Sequence, residues 1–185
     1  LLVEDLPSDA MLAEREIRKA ISDIELRTVD SEEEFTKALE SFSPDLVITD
    51  YKLPGFDGME ALRISLTKDP LLPVIITTGS MNEDIAVECM QAGAINYVIK
   101  EHIKRLGPAV KNALEQKKDK LEKIKVENEL KISEEKYRTI FNNVQDVFYQ
   151  IDMQGRILDI SPSIKNTTTY TREELIGTSV LVLYD

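Results

Sequence analysis

The sequence has very few of the residues that build disulfide or zinc sites. Its 185 residues include one cysteine, Cys89, and one histidine, which excludes an internal disulfide framework and a Cys/His zinc site. Cys89 lies on an apolar helical stripe and is predicted to be a core residue. There is also no signal peptide and no apolar run near the roughly 20 residues that span a bilayer, which predicts a cytoplasmic location without a membrane partner.

Positive charge is scarce as well, since the net charge is -11 at pH 7. An acidic protein is a poor ligand for nucleic acid, which requires a basic surface, so no nucleic-acid partner is expected for this fragment. Residues 100–138 are more basic, but their charges alternate in sign, as on a solvated helix face. With 42% hydrophobic and 31% charged residues, the composition is that of a globular protein.

Short apolar runs alternate with helical patterns five times in the first hundred residues. The predicted strands are residues 1–3, 24–29, 46–48, 74–76 and 95–99. Continuous apolar runs are typical of strands buried on both faces, and the alternation predicts a doubly wound five-stranded parallel sheet with helices on both faces. Because strands usually have five or six residues, the first strand is expected to begin before Leu1.

Helix starts are indicated by three capping-box patterns. Ser31, Ser80 and Thr171 each precede a glutamate by three positions. In a capping box the hydroxyl and the carboxylate bond the free amides of the first helical turn. We therefore expect side-chain caps at these three residues.

Polar residues follow four of the five predicted strands. They are Glu4, Asp5, Asp50, Thr78 and Lys100. The carboxyl ends of parallel strands meet at one edge of the sheet, where ligands bind. Three carboxylates there would repel one another unless a cation joined them, and oxygen ligands suit Mg²⁺. With a hydroxyl and a lysine, the set is equipped for phosphoryl transfer, which depends on positioning and charge neutralisation.

Each residue also has an ordinary structural explanation. Asp50 is of a type that often caps turns, and Thr78 could be only a turn residue. Glu4 could be only a carboxylate at a helix entry. The functional interpretation is favoured because four strand ends agree. His102, in a charged helical stretch past the site, is predicted to lie on the surface.

Four segments of residues 1–105 resemble the receiver domain of two-component response regulators. They are LLVED, DYKLPGFDG, PVIITTG and NYVIKE. The resemblance implies a flavodoxin-like fold in which Asp50 accepts a phosphoryl group from a histidine kinase or phosphotransfer protein. It also implies Mg²⁺ ligation by Asp50 and Asp5, by Glu4 through water, and by the backbone carbonyl of Lys52.

The same resemblance assigns roles on the last two strands. Thr78 and Lys100 would bind phosphoryl oxygens, and Tyr97 would be an aromatic switch that moves with Thr78. Simple packing at the sheet edge is the alternative for Tyr97. The family usually has proline, commonly after a cis peptide bond, where this chain has Glu101.

A helical linker is predicted over residues 106–135. Gly107–Pro108 is expected to kink its start, and no proline or glycine occurs in residues 109–136. Apolar residues recur there with spacings of four and three, at Val110, Leu114, Leu121 and Ile124. Lys117 and Asn128 occupy positions that this heptad would make apolar. The weak pattern fits either a coiled coil that dimerises in parallel or a solvated spacer.

Residues 136–185 predict a hairpin and a short helix. The strands are residues 147–151 and 156–160, joined by a turn with Gly155, and Gly177 closes a helix that Thr171 caps. The runs YRTIFNNVQDVFYQIDMQGRILDISPSI and YTREELIGTS resemble the start of a PAS sensory domain, which implies a partial α+β unit. Together with the heptad pattern of the linker, this unit would offer a contact for a homodimer through linker and PAS unit. Two strands and short helices are not expected to bury a core of their own, so the chain is expected to continue or to borrow packing from a partner.

The sequence therefore predicts a phosphoacceptor signalling module with a receiver at 1–105, a linker at 106–135 and a truncated PAS domain at 136–185. It would relay its phosphorylation state through the linker to a PAS or output region. One alternative is a receiver-like interaction scaffold that is never phosphorylated. Another is a Mg²⁺-dependent phosphatase, but that family has an acid where Lys52 stands. No kinase or cyclase motif occurs, so any activity would be limited to phosphorylation and dephosphorylation of the receiver itself.

Overall fold

A computed structural model describes residues 1–79 and 83–184. The chain divides into a first unit, Leu1–Glu122, and a second unit, Lys123–Asp185. The strands of the first unit are β1 (Leu2–Val3), β2 (Thr28–Val29), β3 (Val47–Asp50), β4 (Val74–Thr78) and β5 (Asn96–Ile99). Its helices are α1 (Pro7–Ala20), α2 (Glu32–Ser41), α3 (Gly58–Lys68), α4 (Glu83–Gln91) and the first part of α5 (Leu106–Asn143), with a 3₁₀ helix at Lys100–Arg105.

The five strands form one parallel sheet in the order β2-β1-β3-β4-β5. Successive side chains of a strand point to opposite faces, so each central strand contributes to two cores. In β4, Val74 and Ile76 pack with α2, α3 and α4, whereas Ile75 packs with α1 and α5. The predicted doubly wound, flavodoxin-like sheet with helices on both faces is therefore confirmed. Cys89 is fully buried in the first of these cores, as predicted.

All five strands differ from the predicted ranges by at least one residue, and the largest differences are in β2, β3 and β4, the last of which extends to Thr78. β2 contains only Thr28–Val29, because Ile24 and Leu26 lie outside the sheet and pack instead beside the core formed with α1 and α5. Their apolar character reflects burial rather than strand pairing. β3 extends to Asp50, so this residue is the last one of the strand and not the first of the following loop.

The helix caps agree with the sequence patterns only in part. Thr171 forms the complete capping box, with both reciprocal hydrogen bonds present. Ser31 precedes α2, but its side chain makes no cap hydrogen bond, so that prediction was wrong. Ser80 lies outside the described residues. A cap that the patterns did not reveal is Asp57, whose carboxylate accepts a hydrogen bond of 2.8 Å from an amide in the first turn of α3.

The break before α5 lies earlier than predicted. His102, which is exposed as expected, has non-helical angles (φ -110°, ψ 34°), whereas Gly107 and Pro108 lie in the first turn of α5. Proline fits there because its missing amide has no helical partner to lose. A Cβ on Gly107 would lie 2.6 Å from the backbone oxygen of Glu16, so glycine permits a close approach to α1. Among the described residues, neither α5 nor any other helix is long and apolar enough to cross a membrane.

The start of the heptad pattern in α5 belongs to the core of the first unit. Val110 is buried there and Leu114 packs beside it. Lys117 donates hydrogen bonds to the backbone oxygen and the carboxylate of Asp45, at 3.2 and 3.4 Å. From Leu121 to Ile140 the apolar side chains of α5 are exposed, whereas Phe141 near the end of the helix is buried. Only these later positions remain to support the coiled-coil prediction.

The second unit contains the predicted hairpin in a shortened form. β6 (Tyr149–Ile151) and β7 (Ile157–Ile160) pair antiparallel, and Gly155 in the turn has a φ of 76°. The hairpin is followed by 3₁₀ helices at Pro162–Asn166 and Val180–Leu183 and by the helix α6 (Arg172–Leu175) between them. Gly177, with a φ of 84°, follows the C-cap residue Ile176 and ends α6 as predicted.

A small core forms within the second unit, contrary to the expectation that it could not bury one. Its buried members are Ile157, Ile160, Ile164 and Leu175. Several other apolar side chains of the unit are more than half exposed, including Phe148, Met153, Leu158, Leu181 and Tyr184. The hairpin and short helices can enclose four aliphatic side chains, but they leave much apolar surface uncovered.

Candidate functional site

Three acidic side chains meet where the strand order reverses. Asp50 ends β3, while Glu4 and Asp5 directly follow β1, its neighbour in the sheet. From β1 the chain crosses to β2 on one side, and later strands add on the side of β3. In open α/β sheets the ligand crevice lies outside the strand ends at such a point. Oxygen atoms of the three carboxylates lie within 4.8 Å of one another.

This acidic group has the composition of a site for a hard cation. Glu4 and Asp50 are only 5% and 7% exposed, and Asp5 is half-buried. Burial raises the pKa of Glu4, although hydrogen bonding to Lys100 acts in the opposite direction. Crowded, poorly hydrated carboxylates are unfavourable without a compensating cation. Mg²⁺ is bound in proteins through one or two such carboxylates together with water, so this group fits that ion.

Lys100 supplies a fixed positive charge beside the acidic group. Its Nζ lies 2.7 Å from Asp50 Oδ2 and 2.8 Å from both Glu4 Oε2 and Asp9 Oδ2. Burial lowers the pKa of Lys100, but the hydrogen bonds that its ammonium group donates to Asp50, Asp9 and Glu4 raise that pKa by more, so the net shift is upward. An ammonium group has three N–H donors, and here each has a carboxylate partner. The amino group is therefore held charged and directed at the end of β3.

Asp9 was missed by reasoning from the sequence. It lies in the first turn of α1 and not at a strand end, so the rule that selected the other residues could not find it. The available signal is its position four residues after Asp5, in a helix that begins at Pro7. Such a short connection keeps the first turn of the helix close to the carboxyl end of β1.

Thr78 and Lys52 lie at the same edge of the sheet. Thr78 ends β4 and is 2% exposed, and the residue before it is the pairing partner of Asp50. Lys52 follows β3 by two residues and forms an isolated bridge with Asp57. Their roles as phosphoryl and metal ligands stay predictions.

Tyr97 lies on β5, opposite Ile76, and packs partly buried against the core that contains α2, α3 and α4. This position is compatible with both the switch and the packing interpretation. Among the described residues no peptide bond is cis. The bond between Lys100 and Glu101 is therefore trans, and Lys100 reaches Asp50 with that geometry.

Comparison with known proteins identifies similar sequences and structures for the first unit. Residues 1–111 match the family model described as the response regulator receiver domain. The DNA-binding transcriptional regulator NtrC of Klebsiella pneumoniae is 34% identical over 99 residues, which cover 54% of this chain and 21% of that protein. The response regulator protein FleR of Pseudomonas aeruginosa is 38% identical over 106 residues, with the same two coverages. The chain therefore spans about a fifth of the length of these relatives.

Solved structures of response regulator proteins are also similar to this chain in fold. NtrX from Brucella abortus is 27% identical with a TM-score of 0.62, and the match covers 68% of this chain and 28% of that one. A response regulator receiver domain protein from Clostridium thermocellum is 32% identical with a TM-score of 0.54, covering 63% of this chain and 94% of that one. Both matches therefore cover about two thirds of this chain.

Proposed function

This chain belongs to the response regulator receiver domain family through residues 1–111, and on that premise we propose that Asp50 is the phosphoacceptor of a two-component signalling protein. The phosphoryl donor would be a histidine kinase or a phosphotransfer protein. The observation that carries the proposal is the contact of 2.7 Å between Asp50 and Lys100 beside a group of three carboxylates. An ordinary turn cap would not require a lysine and two further acids in the same small volume.

The proposed reaction transfers one phosphoryl group. A carboxylate oxygen of Asp50 forms a bond to phosphorus while the bond from phosphorus to the donor imidazole nitrogen breaks, and its electron pair stays on that nitrogen. Lys100 holds a transferred oxygen by a charge-assisted hydrogen bond, and the hydroxyl of Thr78 holds another. Little covalent chemistry is asked of the protein, because positioning and charge stabilisation supply most of the catalysis in phosphoryl transfer.

Mg²⁺ is the proposed cofactor of this site. Asp5 and Asp50 would bind it directly, Glu4 through water, and the backbone carbonyl of Lys52 would complete the share of the protein. When bound, the ion neutralises negative charge that otherwise opposes the approach of a phosphorylated donor. Burial of Glu4 and Asp50 supports this assignment, because crowded buried carboxylates favour a cation.

The remaining parts of the proposal concern the response to phosphorylation. Tyr97 would change position together with Thr78 as the aromatic switch, a role with which its partly buried place on β5 is compatible. We further propose domains at 1–105, 106–135 and 136–185, the last being a truncated PAS unit. The antiparallel hairpin and the capped helix α6 support the PAS assignment.

The helix α5 would relay the phosphorylation state from the receiver to the PAS unit. Its exposed apolar positions after Leu121 would also form the contact in a homodimer. A relay of this kind requires a helix with two alternative states.

The test is phosphorylation by a small donor. The purified chain is incubated with Mg²⁺ and acetyl phosphate, and its intact mass is followed with time. We expect a gain of one phosphoryl group that disappears in Asp50→Asn and in EDTA. Asp57→Asn is the matched control, because it removes a nearby carboxylate while asparagine can still cap α3.

Each competing function has its own outcome in this experiment. An unchanged mass in the wild-type chain contradicts phosphorylation and supports the interaction scaffold. Continuous hydrolysis of a phosphoester that replaces acetyl phosphate in a parallel incubation, without a mass gain at Asp50, supports the phosphatase. A mass gain that persists in Asp50→Asn would show that the acceptor was assigned to the wrong residue.

A further inference from the structure

Asp9 differs from the other three carboxylates in what it contacts. Its Oδ2 lies 2.8 Å from the Nζ of Lys100, but it is not a member of the group formed by Glu4, Asp5 and Asp50. Its other side-chain oxygen accepts a long hydrogen bond of 3.4 Å from the hydroxyl of Ser8. Asp9 therefore contacts the lysine without belonging to the proposed metal site.

This difference matters because Glu4 and Asp50, the other two carboxylates that contact Lys100, would also bind the metal ion. Glu4 and Asp50 both belong to the acidic group, and Asp50 is also the proposed acceptor. When these carboxylates take up a cation and a phosphoryl group, they are less available to the lysine. Of the three carboxylates that contact Lys100, Asp9 is then the one that does not also have to bind the cation or the phosphoryl group.

The surroundings of the amino group leave room for it to move. A small cavity of about 70 Å³ adjoins Lys100 and is lined by Asp9, Glu4, Leu12 and Ile103, among others. A lysine side chain has about 2 kcal/mol of rotamer entropy, so holding it in one position before the reaction is costly without a fixed partner. Asp9 stands on α1, a helix of 14 residues, and can therefore offer such a fixed position.

We propose that Asp9 is a positioning residue that keeps the Lys100 ammonium at the carboxyl end of β3 while Glu4 and Asp50 bind Mg²⁺ and the phosphoryl group. This inference rests on the proposed phosphoacceptor function. Asp9 does not contact the phosphoryl group itself and acts only through Lys100. Its contribution is that the ammonium is already oriented before the charge of the transition state develops.

The test compares phosphorylation rates at saturating Mg²⁺ and acetyl phosphate. We expect Asp9→Asn to lower the rate about tenfold, because misplacement of a catalytic group by a fraction of an ångström has effects of this order. The Mg²⁺ concentration that gives half of the maximal rate should change less than about twofold, since Asp9 lies outside the metal group. Asp9→Glu, which retains the carboxylate, should recover part of the rate.

Two controls separate positioning from a general structural effect. Glu14→Gln removes a carboxylate and an ion pair of 2.7 Å with Arg18 on the same helix, and it should leave the rate unchanged. In a Lys100→Met background, Asp9→Asn should have no further effect, because the residue through which it acts is gone. Loss of fold would instead lower the rate in both backgrounds, which circular dichroism of each variant would reveal.

The outcomes distinguish this inference from the function on which it rests. If the wild-type chain gains no mass, the phosphoacceptor function fails and the role of Asp9 fails with it. If the wild-type chain is phosphorylated and Asp9→Asn reacts at the same rate, only the role of Asp9 is refuted. An equal loss of rate from Asp9→Asn with and without Lys100, or no recovery in Asp9→Glu, also overturns it.

Discussion

Removing the charge of Lys100 should destabilise the first unit in a way that Mg²⁺ corrects. The Lys100→Met variant keeps a side chain of similar length, but it leaves Glu4, Asp9 and Asp50 without the ammonium that now lies 2.7 to 2.8 Å from each of them. Two of these acids are almost fully buried. The variant therefore places uncompensated negative charge at one edge of the sheet.

The size of the effect follows from the distances. At an effective dielectric constant near 20, two unit charges about 2.8 Å apart attract each other by roughly 6 kcal/mol. Much of this is offset by the desolvation of the lysine, and removal of one partner from a buried ion pair costs about 3–5 kcal/mol in practice. The Lys100 side chain is only 18% exposed, so solvent screening is modest. We expect a loss of about 3 kcal/mol in the free energy of unfolding without metal.

Amide hydrogen exchange read by mass spectrometry can measure this loss in the first unit alone. The amides of β3 and β4 report the opening of the central sheet, whereas those of β6 and β7 report the second unit and serve as an internal control. At one hundred times its dissociation constant, Mg²⁺ should stabilise the wild-type sheet by about 2.7 kcal/mol. The stabilisation of Lys100→Met by the same ion should be larger, because the ion also replaces the missing charge.

Three results would refute this reasoning. The first is a central sheet in Lys100→Met that is as stable in EDTA as that of the wild type, which would mean that the carboxylates need no cation. The second is an equal stabilisation of both proteins by Mg²⁺, which would mean that ion and lysine do not act on the same charges. A change confined to the second unit would also contradict it.

Three further predictions concern local features of the first unit. Asp57→Ala should cost about 1 kcal/mol in chemical denaturation through loss of the α3 cap, whereas Ser31→Ala should cost much less, because Ser31 makes no cap bond. Gly58→Ala should cost about 1–3 kcal/mol in the same assay, since an added Cβ would lie 2.5 Å from a backbone oxygen of β3; wild-type stability would contradict this. Burial raises the pKa of the Cys89 thiol, so the folded chain should react with Ellman's reagent far more slowly than the urea-unfolded chain. Fast labelling of the folded chain would contradict this, because it would show that the thiol is accessible. Since the folded state holds the thiol proton more strongly than the unfolded state, the contribution of Cys89 to stability should also fall as pH rises above the ordinary thiol pKa of 9.0.

Much of the site follows from the sequence because strand ends are a local signal. The apolar runs before Asp50 and Thr78 indicate buried strands, and parallel strands necessarily bring their carboxyl ends to one edge. The residues at those ends could therefore be brought together without coordinates, and the structure places Glu4, Asp5 and Asp50 within one small volume. The roles of Thr78, Tyr97 and Lys52 in phosphorylation remain to be measured.

Apolar patterns were less informative where each was assigned to one kind of contact, either strand pairing or a coiled coil. Ile24 and Leu26 are apolar because they pack beside a core and not because they belong to a strand. Val110 and Leu114 fit a heptad, yet they pack on the sheet of the first unit. Periodicity identifies an apolar face, but it shows neither whether that face is covered nor which surface covers it.

The sequence by itself determined the doubly wound sheet and the set of polar residues at its carboxyl edge, because both depend on the order of residues along each strand. Only the tertiary structure decided that Asp9 joins them, and that the break before α5 falls at His102. Asp9 contacts a lysine 91 residues away in the chain, and that distance depends on how α1 packs against the sheet. Such packing is set by the shapes of many side chains together, and a local pattern does not contain it.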